Sequence, residues 1–354
     1  MACLKPARLR RSLLKFYDSE RRDLPWRQTS DPYAILVSEI MLQQTQVATV
    51  IPRWHAFLEE FPTVDALADV PEEKVCEAWA GLGYYRRARN LHKAARQIVE
   101  EHEGQFPEEF GAILDLAGVG RYTAGAVASI AFGQEVPVVD GNVIRVLARF
   151  FSVARTKDDA GLHKAAWRLM EDLVQGERPG DFNQAMMELG ATVCTPANPA
   201  CGRCPIKDGC SASRANSPLQ FPMPKVRKKR EELFVAFGIV RTDAGYAFVQ
   251  RPLDGLWAGL WEPLSAAAKT QKAAYSELSE AYGFQTESTL YAEVRHKLTH
   301  REVIAHVYFV DDLPKRLSAV HWTAQPRALG LSKLAVKVLD VVEQPQQRQL
   351  MFEK

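Results

Sequence analysis

The sequence predicts a multi-domain chain, with an all-α domain over residues 1–213 and an α+β domain over 231–345. Three observations lead there. Through residue 213, apolar residues recur at helical spacing between short loops that carry Gly or Pro. Residues 214–230 hold three prolines and end in the basic run Lys225-Val226-Arg227-Lys228-Lys229-Arg230, a composition that reads as a linker. Beyond it the apolar spacing shortens to that of strands. With 354 residues and 47% hydrophobic content, the chain is large enough for two cores.

The elements follow in order. Asp31-Pro32 starts a helix, with proline in its first turn and the apolar run Ile35 to Leu42 behind it. Further helices are predicted over 64–79, 85–102, 108–115, 121–131, 141–150, 161–175 and 181–193. After the linker, Glu232–Arg241, Tyr246–Gln250 and Val303–Val310 read as strands, and 272–281 and 331–342 as helices. Net charge is only +2, so global charge does not announce nucleic acid. The dense cluster Arg86-Arg87-Ala88-Arg89 reads as a solvated face. No apolar run reaches transmembrane length, and the opening residues lack an apolar signal core. A cytoplasmic, nucleoid-associated and bacterial setting is the expectation.

Four cysteines carry the strongest chemical signal. Cys194, Cys201, Cys204 and Cys210 are spaced C-x6-C-x2-C-x5-C. Four thiolates on one short loop can close around a metal centre, and the spacing admits either zinc or an iron–sulfur cluster. Glu39 is a single carboxylate in an otherwise apolar helix turn. Pointing outward it is a surface charge; buried, its pKa rises and it becomes a general acid. Leu116-Ala117-Gly118-Val119-Gly120 followed by a helix start is a helix-hairpin-helix, over about 112–131, whose backbone amides grip DNA phosphates. Asp140 precedes a helix. It is either an N-cap or the carboxylate that supports an oxocarbenium-like centre, with Glu39 as its acid partner.

Taken in order, Glu39-Ile40-Met41-Leu42-Gln43-Gln44-Thr45-Gln46, Gly81-Leu82-Gly83-Tyr84-Tyr85, the Gly118–Gly120 hairpin, Asp140-Gly141-Asn142-Val143 and the four-cysteine loop resemble the helix-hairpin-helix DNA glycosylase superfamily with its [4Fe–4S] loop. Within it the chain is similar to the adenine-excising family, and the likeness spans residues 8–213. It implies a monofunctional enzyme of base excision repair that removes adenine paired with 8-oxoguanine or guanine in duplex DNA, acting as a monomer. Related bifunctional lyases of the endonuclease III type carry a lysine nucleophile where this chain has Tyr122.

The resemblance also assigns residues. Glu39 is the acid and Asp140 the oxocarbenium support, with Tyr122 and Asn142 assisting. Arg22, Trp26, Arg27 and Gln184 line a pocket for an extruded adenine, which a stacked duplex would otherwise hide. Gln44 and Tyr84 fill the space it leaves, and Gly118 and Gly120 hold phosphate. Cys194, Cys201, Cys204 and Cys210 hold a [4Fe–4S] cluster in the 194–210 loop, where Arg203 and Lys207 are candidate phosphate contacts.

In the second domain, Arg251-Pro252-Leu253-Asp254-Gly255-Leu256-Trp257-Ala258-Gly259-Leu260-Trp261 resembles the Nudix-like C-terminal domain of that family. The Nudix hydrolase metal helix is absent from 271–283, which implies recognition and not pyrophosphate hydrolysis. Thr299 and His300 fall on the loop that reads 8-oxoguanine in the family, with Leu298-Thr299 standing where Phe-Ser is usual. The tail 346–354 loosely resembles sliding-clamp peptides and reads equally as a plain terminal tail.

Overall fold

The computed structural model describes residues 5–224, 230–252, 254–284, 289–298, 300–310 and 320–343. The chain divides into two compact units, Met1–Val226 and Arg227–Lys354. Thr299 and the 346–354 tail lie outside the described residues. Among the described residues no helix is long and apolar enough to cross a membrane.

The first unit is helical: α1 (Pro6–Glu20), α2 (Pro32–Leu42), α3 (Val47–Glu60), α4 (Val64–Ala68), α5 (Glu72–Ala78), α6 (Arg86–His102), α7 (Phe110–Asp115), α8 (Arg121–Ala131), α9 (Gly141–Phe150), α10 (Ala160–Leu173), α11 (Pro179–Thr192) and α12 (Ser211–Arg214). The predicted helices are present, with 64–79 broken in two at Pro71, which cannot continue α4 and caps α5. Three helices were not anticipated: α1, α3 and the single turn α12. In α1 the basic residues obscure a buried stripe of Leu9, Leu13, Phe16 and Tyr17. In α3 the internal Pro52 obscures the stripe of Val50, Trp54 and Phe57.

Two apolar cores share this unit. One gathers α2, α3, α6 and α8 around Ile35, Phe57, Trp79 and Leu91. The other gathers α1, α9, α10 and α11 around Leu13, Val143, Phe150, Met170 and Phe182. Helices α8 and α11 pack together, and α2 packs on α8, so the start of α9 is brought beside the middle of α2.

The expected linker is corrected in its first half. Residues 214–224 are anchored to the helical unit: Phe221 packs against the second core, Arg149 donates to the Phe221 carbonyl at 3.0 Å, and the Met223 amide donates to the Arg155 carbonyl at 2.8 Å. The unit boundary falls at Val226, inside the basic run.

The second unit is a mixed sheet of β1 (Glu231–Ile239), β2 (Arg241–Thr242), β3 (Gly245–Gln250), β4 (Trp261–Ala268), β5 (Leu290–Lys297), β6 (Arg301–Phe309) and β7 (His321–Thr323), with α13 (Gln271–Tyr282) and α14 (Lys333–Glu343). Strand order is β2-β3-β4-β1-β6-β5, with β7 paired to β3. The β1–β6 pair is parallel and the β1–β4, β3–β4 and β5–β6 pairs are antiparallel. Alternation of side chains sorts the two faces. Val235, Phe237 and Ile239 pack toward Leu334 and Val338 of α14, while Ala236 and Val240 pack toward Ala274 and Leu278 of α13. Trp257 joins the α14 face of the sheet, and Trp261 lies 5.1 Å from the His321 ring. Both tryptophans of the Gly-Leu-Trp segment thus serve packing within this unit.

Candidate active site

The middle of α2 is buried all round, from Tyr33 to Met41, so a carboxylate placed there is largely shielded from bulk water. Glu39 is 6% exposed, which selects the buried reading over the solvent-face one. Its Oε2 has no hydrogen-bond partner. Burial pushes its pKa up to about 7; Asp140 pushes the same way, while the Tyr122 hydroxyl and Arg27 hold it back. Glu39 therefore carries a proton near neutrality and can donate it. The Tyr122 hydroxyl lies against Glu39 and 3.3 Å from Met187 Sδ. Burial, then the Glu39 and Asp140 charges, hold the phenol well above its ordinary pKa, so it stays a neutral donor.

Asp140 is both cap and carboxylate. As N-cap of α9, its Oδ1 accepts from the Asn142 and Val143 amides at 2.8 and 2.7 Å. Its Oδ2 accepts from Asn142 Nδ2 at 2.7 Å. The Asn142 carbonyl oxygen in turn accepts from Arg145 Nη2 at 2.8 Å, fixing the amide's orientation. α11 passes close enough that a Cβ on Gly190 would lie 2.5 Å from the Asn142 Cβ, so only glycine fits there.

The same helix reaches the cysteine loop. Arg145 also donates to the carbonyls of Cys194 and Gly190, both at 2.8 Å. Arg149, 3% exposed, donates to the carbonyls of Thr195, Pro196, Phe221 and Cys194 and approaches Cys194 Sγ at 3.4 Å. Two buried guanidiniums thus do the work of a core in a segment that has almost no regular structure. Arg149→Met is expected to cost roughly 3 kcal/mol, because it leaves several carbonyls buried without donors. Urea unfolding of the variant, with cysteine labelling rates as a local readout, checks this; an unchanged midpoint and unchanged labelling would contradict it.

Cys194, Cys201, Cys204 and Cys210 line one cavity with Arg149, Val193, Pro199 and Lys207. Four separate sulfur donors thus face one small space between α9, Val193 and the loop itself. Burial, opposed by a backbone hydrogen bond from Ile206 and reinforced by Cys194, Cys210 and Cys201, pushes the Cys204 thiol up to about 12. Four thiolates so placed repel one another unless a cationic centre sits among them. A polynuclear group with four separate sulfur ligands fits this donor set. Arg203 pairs with Glu20 at 3.1 Å, and Lys207 borders the cavity.

Of the pocket residues, Arg22 and Arg27 converge on a residue that sequence reasoning missed. Glu188 on α11 is fully buried. Arg22 binds it through its amide, Nε and Nη2 at 3.0, 2.8 and 2.8 Å, and Arg27 Nη2 binds it at 2.7 Å. Burial alone would raise the Glu188 pKa, but the two guanidiniums bring it down to about 2. Arg27 also stacks on Tyr17, and Arg22 keeps 41% of its side chain exposed to meet a ligand. Trp26 is buried and edge-on to Trp54, a wall of the core. Gln184 is buried on α11. A lone acid among Ala185, Met186, Met187 and Leu189 was the available signal for Glu188, of the kind that singled out Glu39.

The residues expected to fill the emptied base position stand on strained turns. Gln44 has φ +59° and Tyr84 φ +49°, conformations that non-glycine residues rarely hold. Tyr84 is 63% exposed. Arg87 secures both turns and corrects the reading of Arg86–Arg89 as a solvated face. It is buried, donates to the Ile40, Met41 and Gln43 carbonyls on one side and the Leu82 and Gly83 carbonyls on the other, and stacks on Trp79 and Tyr84. In the hairpin, Gly118 has φ +75°, and a Cβ there would strike Asn90 at 2.5 Å. Gly118 and Gly120 are exposed, and neither amide donates to another described residue. In the second unit His300 is exposed beside the tight β5–β6 turn, and Leu298 packs into the sheet core.

The HhH-GPD superfamily of base excision DNA repair proteins matches residues 37–172, and a NUDIX domain matches 235–341. An adenine DNA glycosylase of Buchnera aphidicola (Acyrthosiphon pisum strain) is 34% identical, over 70% of this chain and 70% of its own length. The chain belongs to the adenine DNA glycosylase family. The human adenine DNA glycosylase is 39% identical over 84% of this chain; the chain spans 66% of that protein and 59% of the rat member. Among solved structures, a thermostable thymine-DNA glycosylase aligns at TM-score 0.55 and 34% identity, covering 59% of this chain and 97% of its own. An endonuclease III–DNA complex aligns at TM-score 0.51 and 24% identity, over 60% of this chain and 98% of its own, which shows the shared fold of the helical unit.

Proposed function

We propose that the chain excises adenine paired with 8-oxoguanine or guanine from duplex DNA, by hydrolysis of the N-glycosidic bond. The observation that carries this reading is the pair Glu39 and Asp140. One carboxyl group is forced by burial to hold its proton near pH 7, and the other is fixed in place by three N–H donors. Cleavage of a glycosidic bond asks for that division. Glu39 protonates the leaving base at a ring nitrogen. Asp140 faces the sugar as positive charge develops on it, and Asn142 and Arg145 keep its carboxylate in place. Glu39, once ionised, accepts a proton from the attacking water. Tyr122 supports both carboxyl groups and supplies no amine, so no Schiff base forms at that position.

Recognition of adenine falls to the pocket beside α2 and α11, where Arg22 and Arg27 are oriented by Glu188. Gln44 and Tyr84, on turns locked by Arg87, occupy the space the base vacates. The hairpin amides of Gly118 and Gly120 take backbone phosphate. Cys194, Cys201, Cys204 and Cys210 hold a [4Fe–4S] cluster, which when bound fixes the loop; hydrolysis of the glycosidic bond transfers no electrons. The second unit reads the base opposite adenine through the 298–300 turn, with Thr299 supplying a hydroxyl.

Incubation with a duplex holding adenine opposite 8-oxoguanine, guanine or thymine tests the function. The expected result is free adenine from the first two, with strand breakage only after alkali. Breakage without alkali supports a lyase of the endonuclease III type, and no base release removes the enzymatic reading.

A further inference from the structure

Lys157 lies on the loop between α9 and α10, and its side chain extends over the first residue of α9. A Cβ placed on Gly141 would meet Lys157 Nζ at 2.5 Å and Cε at 2.9 Å. The ammonium therefore rests directly on the backbone next to Asp140. Its own backbone is secured on both sides. His163 Nε2 lies 2.9 Å from the Lys157 carbonyl, Thr156 bridges to Met223, and the Met223 amide donates to the Arg155 carbonyl.

The neighbouring cations are spoken for. Arg155 pairs with Asp159 at 2.9 Å, and Arg145 and Arg149 are bound to carbonyls. Lys157 makes no side-chain hydrogen bond or ion pair with any described residue. Asp140 does not claim it, because its carboxylate already takes three N–H bonds. An unpaired ammonium over the first turn of α9 meets the positive end of the helix, and it would also oppose positive charge developing on a nearby sugar. An anion placed on Lys157 removes both conflicts.

We propose that Lys157 contacts the DNA phosphate next to the nucleotide that Asp140 faces. This rests on the glycosylase reading and deepens it. Lys157 binds substrate backbone and takes no part in proton transfer, so its effect falls on affinity and its salt dependence. Each phosphate contact released should lower the slope of log affinity against log salt by ~0.9.

The test is equilibrium binding of the full chain to a duplex with 2′-fluoro-adenosine opposite 8-oxoguanine, which is held without turnover, across a salt series. Lys157→Gln is expected to lower the slope by about one contact and weaken binding several-fold at low salt, with Lys157→Arg restoring both. Arg155→Gln removes an equal charge that is already paired and should leave the slope unchanged. A wild-type slope in Lys157→Gln, or an equal loss in Arg155→Gln, overturns the contact. Failure of the wild-type chain to release adenine counts separately, against the glycosylase reading itself.

Discussion

Glu39→Gln is expected to slow adenine release by about a thousandfold under single-turnover conditions, with duplex affinity retained. The amide matches the carboxyl group in shape and cannot donate an acidic proton, so the loss belongs to the chemical step. The same substitution should stabilise the fold in mild alkali. Folded Glu39 keeps its proton to about pH 7, against an ordinary value of 4.5. Between those values the folded chain holds a proton that the unfolded chain has released. Stability therefore falls as pH rises, and the loss, roughly 3 kcal/mol, is complete above 7. Glutamine carries no such cost. Melting of the two proteins should diverge at about pH 8 and converge near pH 4. Equal melting at both pH values would show that Glu39 is not buried as described.

Asp140→Asn separates the two duties of that residue. Asparagine is as good an N-cap as aspartate, so α9 should still form and melting should change by no more than about 1 kcal/mol. The charge facing the sugar is lost, and the new amide must compete with Asn142 Nδ2, now donor against donor. Adenine release is expected to fall at least a hundredfold to a thousandfold, the scale for removal of a preorganised electrostatic partner. Wild-type release by a well-folded Asp140→Asn would remove the carboxylate from the mechanism.

Much of this was legible in the sequence because it is local. The hairpin glycines, the Asp140 cap and the cysteine spacing depend on residues a few positions apart, and local spacing is what a sequence displays. Glu39 was legible as a lone acid in an apolar turn, although its burial was decided only when α8 covered α2. What stayed hidden was the set of buried arginines. In sequence Arg87 belongs to a basic cluster and Arg145 and Arg149 look like the polar stripe of α9. Their partners are carbonyls at the end of α2, on the Gly81–Tyr84 turn, in the cysteine loop and at Phe221, up to 72 residues away. Nothing local reports where those carbonyls go unsatisfied. Glu188 was hidden for the same reason, since Arg22 and Arg27 reach it from 166 and 161 residues away. Residues 214–224 looked like linker because three prolines suppress regular structure; Phe221 and the Met223 amide bind them to the helical unit.

The measurement that tests the account most directly is the pH dependence of single-turnover adenine release from a duplex holding adenine opposite 8-oxoguanine. The account predicts a rate that is highest where Glu39 is protonated and falls about tenfold per pH unit above 7, with the falling limb absent from the residual rate of Glu39→Gln. A rate that rises through pH 7, or a falling limb that survives in Glu39→Gln, would contradict it.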